Sequence, residues 1–197
     1  MSDCFTLICN NVETAFNQEK IFSNLRINCS FEKVLLIKGP VGSGKTTLLK
    51  LISKIYKPQK GEITIRKAGM PANIYYIHSN PEFNFVTGHI EDEFILSGVP
   101  KELIPGYKGR YVNELSGGEL KKIAITIALN SSADLIVMDE PFEMLDDEEV
   151  KSTGKIILES SDNKSFIIAT HENILDKFAD QCIEITKERP LRGKRVD

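Results

Sequence analysis

The sequence predicts an α/β fold. Its core should have three layers around a mainly parallel sheet, with an antiparallel β flap built from the N-terminal strands. Three observations carry this. Val34 to Ile37, Leu135 to Met138 and Phe166 to Ala169 are short, wholly apolar runs, the character of strands buried on both faces. Each is followed by a segment of helical spacing, as the crossovers between parallel strands require. The first run also leads straight into a glycine-rich loop, Gly39 to Gly44.

The elements follow in order. Residues 3–9 and 25–37 are β-type runs, the second split near Glu32-Lys33. No helix joins them, so they should pair antiparallel as the flap. From Thr46, the spacing of Leu48, Leu49, Ile52 and Ile55 predicts a helix that ends around Pro58 to Gly61. Strands follow at Glu62 to Arg66 and Asn73 to Ile77. The stretch from Pro81 to Glu114 is interrupted by Pro81, Pro100, Pro105 and four glycines, and only Ile90 to Leu96 has a helical pattern. A helix then runs to Leu129, followed by the strand Leu135 to Met138 and a helix over Asp146 to Ser160. The strand Phe166 to Ala169, a helix over His171 to Ala179 and a strand over Cys182 to Ile185 complete the chain.

Composition narrows the function class. A chain of 197 residues can bury one substantial core with a small satellite subdomain. The formal charge of −3 gives no general reason to expect nucleic acid as a partner. The local exception is Lys187 to Arg195, five basic residues against one acidic, read as a solvated tail or as an electrostatic contact with a partner or membrane surface. No apolar run approaches the roughly 18–20 residues that span a bilayer, and the start, MSDCFTL, lacks the pattern of a secretion signal. Cys4, Cys9, Cys29 and Cys182 show no CxxC spacing, so free thiols in a reducing cytosol are expected.

The chemistry is concentrated in three places. Gly39-Pro40-Val41-Gly42-Ser43-Gly44-Lys45-Thr46 satisfies GxxxxGK[ST], with an apolar strand before it and a helix after it. Glycines let successive N–H groups turn toward phosphate oxygens, and the helix N-terminus adds partial positive charge. Lys45 should reach the β- and γ-phosphates and the Thr46 hydroxyl should ligate Mg²⁺. The blander alternative is a glycine-rich strand-to-helix turn; the dinucleotide pattern GxGxxG is not present. Asp139-Glu140 ends the LIVM strand. In a P-loop NTPase an aspartate there holds Mg²⁺, and the next carboxylate can orient or deprotonate the attacking water; an acidic pair capping the next segment is the alternative. His171 follows a third buried strand, a position where a lone histidine is ordinarily structural.

Between the phosphate loop and LIVMDEP lies Leu115-Ser116-Gly117-Gly118-Glu119. The ordered set resembles the ATPase domain of the ABC superfamily, over nearly the whole chain. That resemblance implies one domain over residues 1–197, with a helical subdomain at about 80–130 carrying LSGGE. It implies ATP as the ligand, held by Gly39 to Thr46 with Thr47 beside them. It implies Glu140, His171 and Lys45 as catalytic residues. Phe16 stands where the family places a ring that stacks on adenine, with a core or flap aromatic as the other reading. Ser116, Gly117 and Gly118 would bind the γ-phosphate of ATP held by an opposite subunit. Asp146 lies in the family's interface loop and is also a natural N-cap for the next helix. One chain carries one half of each site, so two ATP sites need two subunits, the second identical or different.

The chain also departs from the family pattern. Aligning Asn80-Pro81 puts Ser79 where the family has a Mg²⁺-contacting glutamine, with His78 or Asn80 as substitutes if the loop shifts by one residue. The stretch NPEFNFVTGHIED, Asn80 to Asp92, resembles the cobalt-type and energy-coupling-factor vitamin transporter ATPases. Thirty-five residues lie between Ser79 and Leu115, fewer than the family's usual helical subdomain, which docks on the membrane partner. Glu119 replaces a glutamine and Lys122 an arginine; Glu119 would repel ATP phosphate unless it points away or pairs with Lys121 or Lys122. The resemblance implies an ATP-hydrolysing subunit that powers a separate integral membrane transporter, cytoplasmic and peripheral on the inner face of the cell membrane. The alternative is a non-transport ATPase acting as a switch on a soluble partner.

Overall fold

A computed structural model describes residues 4–16, 19–100, 102 and 105–186. The elements are β1 (Phe5–Phe16), β2 (Glu19–Phe31), β3 (Val34–Lys38), helix α1 (Lys45–Ile52), β4 (Lys60–Lys67), β5 (Met70–Pro71) and β6 (Ile74–Ile77). They continue with α2 (Ile90–Leu96), α3 (Gly117–Asn130), β7 (Leu135–Asp139), α4 (Asp147–Ser160), β8 (Ser165–Ala169) and β9 (Gln181–Glu184). Short 3₁₀ turns punctuate the connections.

Two sheets result. β6, β7, β8, β3 and β9 form a parallel sheet in that spatial order, and β2, β1, β4 and β5 form an antiparallel one. The expected flap is therefore present and larger than its first two strands, since β4 continues it beside β1. The strands with continuous apolar runs, β3, β7 and β8, sit side by side in the centre of the parallel sheet and are buried along their length.

Alternation along β3 defines the layers. Leu35 and Ile37 face a core shared with Leu48, Leu49 and Ile52 of α1 and with Phe5 and Leu7 of the flap. Val34 and Leu36 face the opposite core, with Ala124 and Ala128 of α3 and Ile157 of α4. The parallel sheet is the middle of three layers, as predicted. Each buried leucine or isoleucine here contributes roughly 1.5–3 kcal/mol. A smaller cluster joins Ile90 and Phe94 of α2 to Leu120, Ile123 and Ile127 of α3. Since α3 buries residues into two cores, Leu120 to Ala128 is largely apolar around its circumference.

Two expected helices differ. α1 stops at Ile52, with Lys54 at φ 58°, and Ile55 lies beyond its end, 50% exposed. The helix expected over His171 to Ala179 is an irregular turn with a single 3₁₀ segment, Asp176–Phe178. There Lys38 Nζ donates to the Glu172 carbonyl at 2.5 Å and pairs with Asp176 at 2.9 Å. Only Leu175 of the predicted apolar face is fully buried, and Phe178 is exposed, so no helical stripe gains a partner surface.

Candidate functional site

Three adjacent parallel strands deliver three loops to one sheet edge. The glycine loop follows β3, Thr170 and His171 follow β8, and Asp139-Glu140 ends β7. The carboxyl edge of a parallel sheet is where such folds bind ligands. A cleft of about 540 Å³ opens there, lined by Gly44, Lys45, Thr46, Thr47, Ser79, Glu140 and His171, among others.

The loop is shaped for an anion. Gly39, Gly42 and Gly44 have φ of 149°, 76° and 100°, values that side-chain-bearing residues rarely adopt. A Cβ on Gly39 would lie 2.3 Å from the Ile185 carbonyl oxygen, and one on Gly44 2.8 Å from Ile21 Cγ2. Ser43 Oγ is buried with no hydrogen-bond partner among the described residues, a donor available to a ligand. Lys45 is 7% exposed and folds back over the loop. Its Nζ donates to the carbonyls of Gly39 at 2.9 Å and Pro40 at 3.4 Å.

The acidic end of β7 faces this loop. Asp139 is buried; its Oδ1 accepts from Thr46 Oγ1 at 3.1 Å and its Oδ2 from the Tyr76 hydroxyl at 3.5 Å. Glu140 holds a left-handed backbone, φ 47°, with its N–H donated to the Ala169 carbonyl at 2.8 Å. Its Oε2 accepts from the His171 N–H at 3.2 Å, and its Oε1 lies 3.7 Å from Lys45 Nζ. His171 Nε2 is 3.2 Å from Glu140 Oε1 and 3.1 Å from Lys45 Nζ. Lysine only donates, so Nε2 accepts from Lys45 when bare and donates to Glu140 when protonated; one contact is made in each state. Burial pushes the Glu140 carboxyl above its ordinary range, and His171 and Lys45 draw it back down. A carboxylate shifted upward by burial is a better proton acceptor than an exposed one.

The loop after β6 brings Ser79, of the three candidates for the glutamine position, to the cleft. His78 Nδ1 accepts from the Asn80 N–H at 3.0 Å, and Asn80 Oδ1 caps Glu82 N at 3.1 Å. His78 Nδ1 and Asn80 Oδ1 are thus engaged in the loop's own structure.

The LSGGE segment lies outside the cleft. Ser116 is exposed and caps α3, and Glu119 completes a capping box. The Glu119 carboxylate accepts from Ser116 N at 2.8 Å and Ser116 Oγ at 2.9 Å, so it pairs with neither Lys121 nor Lys122 by hydrogen bond. Lys122 instead bridges to Glu149 at 2.7 Å. Gly117 and Gly118 back onto the Met144–Glu149 segment, where a Cβ on Gly117 would meet Met144 Sδ at 2.7 Å. Asp146 caps α4, its Oδ1 accepting from Glu149 N at 2.8 Å. Phe16 belongs to β1, but its side chain lies outside the described residues, as does the basic stretch from Lys187.

The model of the ABC transporter family matches residues 22–143. An uncharacterised ABC transporter ATP-binding protein of Methanocaldococcus jannaschii is 32% identical over 205 residues, covering 90% of this chain and 81% of that protein. The chain belongs to the ABC transporter family. It is an ATP-binding and ATP-hydrolysing subunit of that family. An energy-coupling factor transporter ATP-binding protein of Mycoplasma mobile is 30% identical, covering 76% of this chain and 65% of its own length. The fold matches the structure of an ATP-binding subunit of an ABC transporter, with TM-score 0.79 at 17% identity over 98% of this chain and 90% of that one. It also matches a dimeric cassette bound to ADP and Pi, with TM-score 0.73 at 20% identity over 97% of this chain and 99% of that one.

Two residues of the site escape a reading of the ABC motifs. Ile21 lines the cleft from the flap, where only strand alternation marks it. Lys121 is buried behind Glu140, in a sequence where a Lys-Lys pair reads as a solvated helix face.

Proposed function

We propose that two copies of this chain close on two ATP molecules and thereby drive a separate integral membrane transporter subunit from the cytoplasmic face of the membrane. The observation that carries this is the division of the site. Lys45, Glu140 and His171 share one cleft, while Ser116, Gly117 and Gly118 stand beside it with Ser116 exposed. Each chain offers a nucleotide-holding half and a capping half, and two copies complete both sites. Adjacent to the capping half, the Asp146 segment lies in the same interface. Support for the membrane partner comes from relatives: one is named for an energy-coupling factor transporter, and one similar structure is described as part of the cbiONQ transporter complex.

The residues also fit Mg²⁺. Thr46 Oγ1 and Asp139 Oδ1 are hard oxygen donors 3.1 Å apart beside the phosphate loop, and Ser79 adds a hydroxyl that reaches an ion only through water. Bound there, the ion would draw charge from the phosphate oxygens. Lys45 leaves the Gly39 and Pro40 carbonyls for the β- and γ-phosphates. His171 orients the attacking water and Glu140 takes its proton as the bond to the γ-phosphorus forms and the bridging bond to ADP breaks. Phe16 stacks on the adenine.

Purification of Glu140→Gln from membranes with ATP present tests the transport reading. Recovery of an integral membrane protein is expected, and a purely soluble partner overturns it. Lys45→Ala should abolish hydrolysis; unchanged turnover refutes the assigned site.

A further inference from the structure

Among the described residues, Lys121 is the least exposed lysine. It lies on α3, two residues after the LSGGE segment, and is 1% exposed. Its Nζ donates at 2.5 Å to a backbone oxygen, the carbonyl of Glu140. Burial draws the ammonium pKa down, and the nearby charges of Glu143, Glu140 and Asp139 push it back up. Burying a cation costs several kcal/mol even when it is well bonded. A methionine would fill the same space without that cost, so packing alone does not account for the residue.

The bonded peptide is an unusual one. Glu140 is held at φ 47°, a conformation that costs a non-glycine residue roughly 1–3 kcal/mol and persists only where neighbours fix it. Four contacts do so: Glu140 N–H to Ala169 O at 2.8 Å, Glu140 O from Lys121 and from the Glu143 N–H at 3.3 Å, and the carboxylate from His171 N at 3.2 Å. Two of these come from β8 and the turn after it. Lys121 is the contact from the LSGGE helix.

We propose that Lys121 is a positioning residue for hydrolysis: from the LSGGE helix it holds the Glu140 peptide in the orientation that aims the Glu140 carboxylate into the cleft. The inference rests on Glu140 being the general base. Because α3 begins at the segment that caps the other subunit's ATP, the bond also ties that capping event to the chain's own catalytic carboxylate.

The test is a double-mutant cycle read by steady-state ATP hydrolysis, with nucleotide affinity measured by a fluorescent ATP analogue. Lys121→Met should lower kcat roughly 10- to 100-fold, the scale of a misplaced catalytic group, with affinity within about twofold of wild type. Lys121→Arg, which keeps the donor and the charge, should recover most of that loss. On a Glu140→Gln background Lys121→Met should add nothing further. A kcat within twofold of wild type in folded Lys121→Met, a parallel loss of affinity, or losses that multiply in the double variant would each overturn the proposal. If Lys121→Met does not fold, Lys121→Gln carries the same cycle. A failure of the ATPase reading itself appears separately, as hydrolysis that survives Lys45→Ala.

Discussion

Replacing Glu140 by glutamine alters one charge and little else. The amide oxygen can still accept from the His171 N–H, 3.2 Å away in the native chain, and the left-handed backbone is unchanged. What disappears, on the proposed mechanism, is the acceptor for the water's proton. A positioned general base contributes about 10²–10⁴ in rate, roughly 2.7–5.5 kcal/mol of barrier, so kcat should fall by that factor. Binding should respond in the opposite direction. Glu140 Oε1 stands 3.7 Å from Lys45 Nζ. A pair of unit charges at that separation attracts by roughly 4.5 kcal/mol at an effective dielectric of about 20, before desolvation offsets most of it. Without that competitor Lys45 is freer to turn to phosphate, and a carboxylate facing the γ-phosphate is gone. ATP affinity should therefore hold or rise, by up to about tenfold, a 1.4 kcal/mol remnant of the pair. Phosphate release gives the first quantity and titration with a fluorescent ATP analogue the second. A kcat within threefold of wild type refutes the assignment; a tenfold loss of affinity would make Glu140 a binding group instead.

Further expectations follow from single contacts. Asp146→Ala removes the capping box of α4 and should cost about 1 kcal/mol, lowering Tm by roughly 2–4 °C in a thermal melt; an unchanged Tm contradicts the cap. Glu119→Gln keeps an oxygen for the Ser116 cap but removes a charge; were the phosphate to dock at Ser116 as proposed, a charge about 7 Å from it in a water-like dielectric would repel it by roughly 0.6 kcal/mol. The ATP concentration for half-maximal dimerisation should accordingly drop about threefold, and a rise would refute the argument. Burial raises the Cys9 and Cys29 thiols to about 12 and about 11, Coulombic coupling to Cys29 and Cys4 respectively adding to it. At pH 8 their thiolate fractions are then roughly one in 10⁴ and one in 10³, so iodoacetamide should leave both intact in native protein and modify both in urea, as read by mass spectrometry.

The parts of the fold most legible in the sequence are those whose residues answer to one constraint. β3, β7 and β8 are buried on both faces, so their sequences are continuous apolar runs, and the phosphate loop follows a strand because only glycines accept its backbone angles. The N-cap at Asp146 was equally visible, since a carboxylate three residues before Glu149 satisfies the box. β2 was harder to read. It spans Glu19–Phe31 with Lys20 and Arg26 on its open face, and register shifts in its pairing with β1 break the period of two. The turn after His171 misled for the opposite reason. Ile174, Leu175 and Phe178 have helical spacing, but Lys38 and the Glu172 carbonyl fix a bend instead. Within the site, Lys121 was hidden because its partner is a backbone carbonyl 19 residues away, which no side-chain pattern records.

The central claim is that ATP joins two copies of this chain, each completing the other's site. Light scattering coupled to size-exclusion chromatography tests it on Glu140→Gln, where the expected slow hydrolysis prolongs the ATP-bound pair. The chain mass is 22.1 kDa. The protein should elute at that mass alone or with ADP, and at about twice that mass with ATP and Mg²⁺, the two-copy closed state. A single 22.1 kDa species under all three conditions, at ATP concentrations that saturate the cleft, would contradict it.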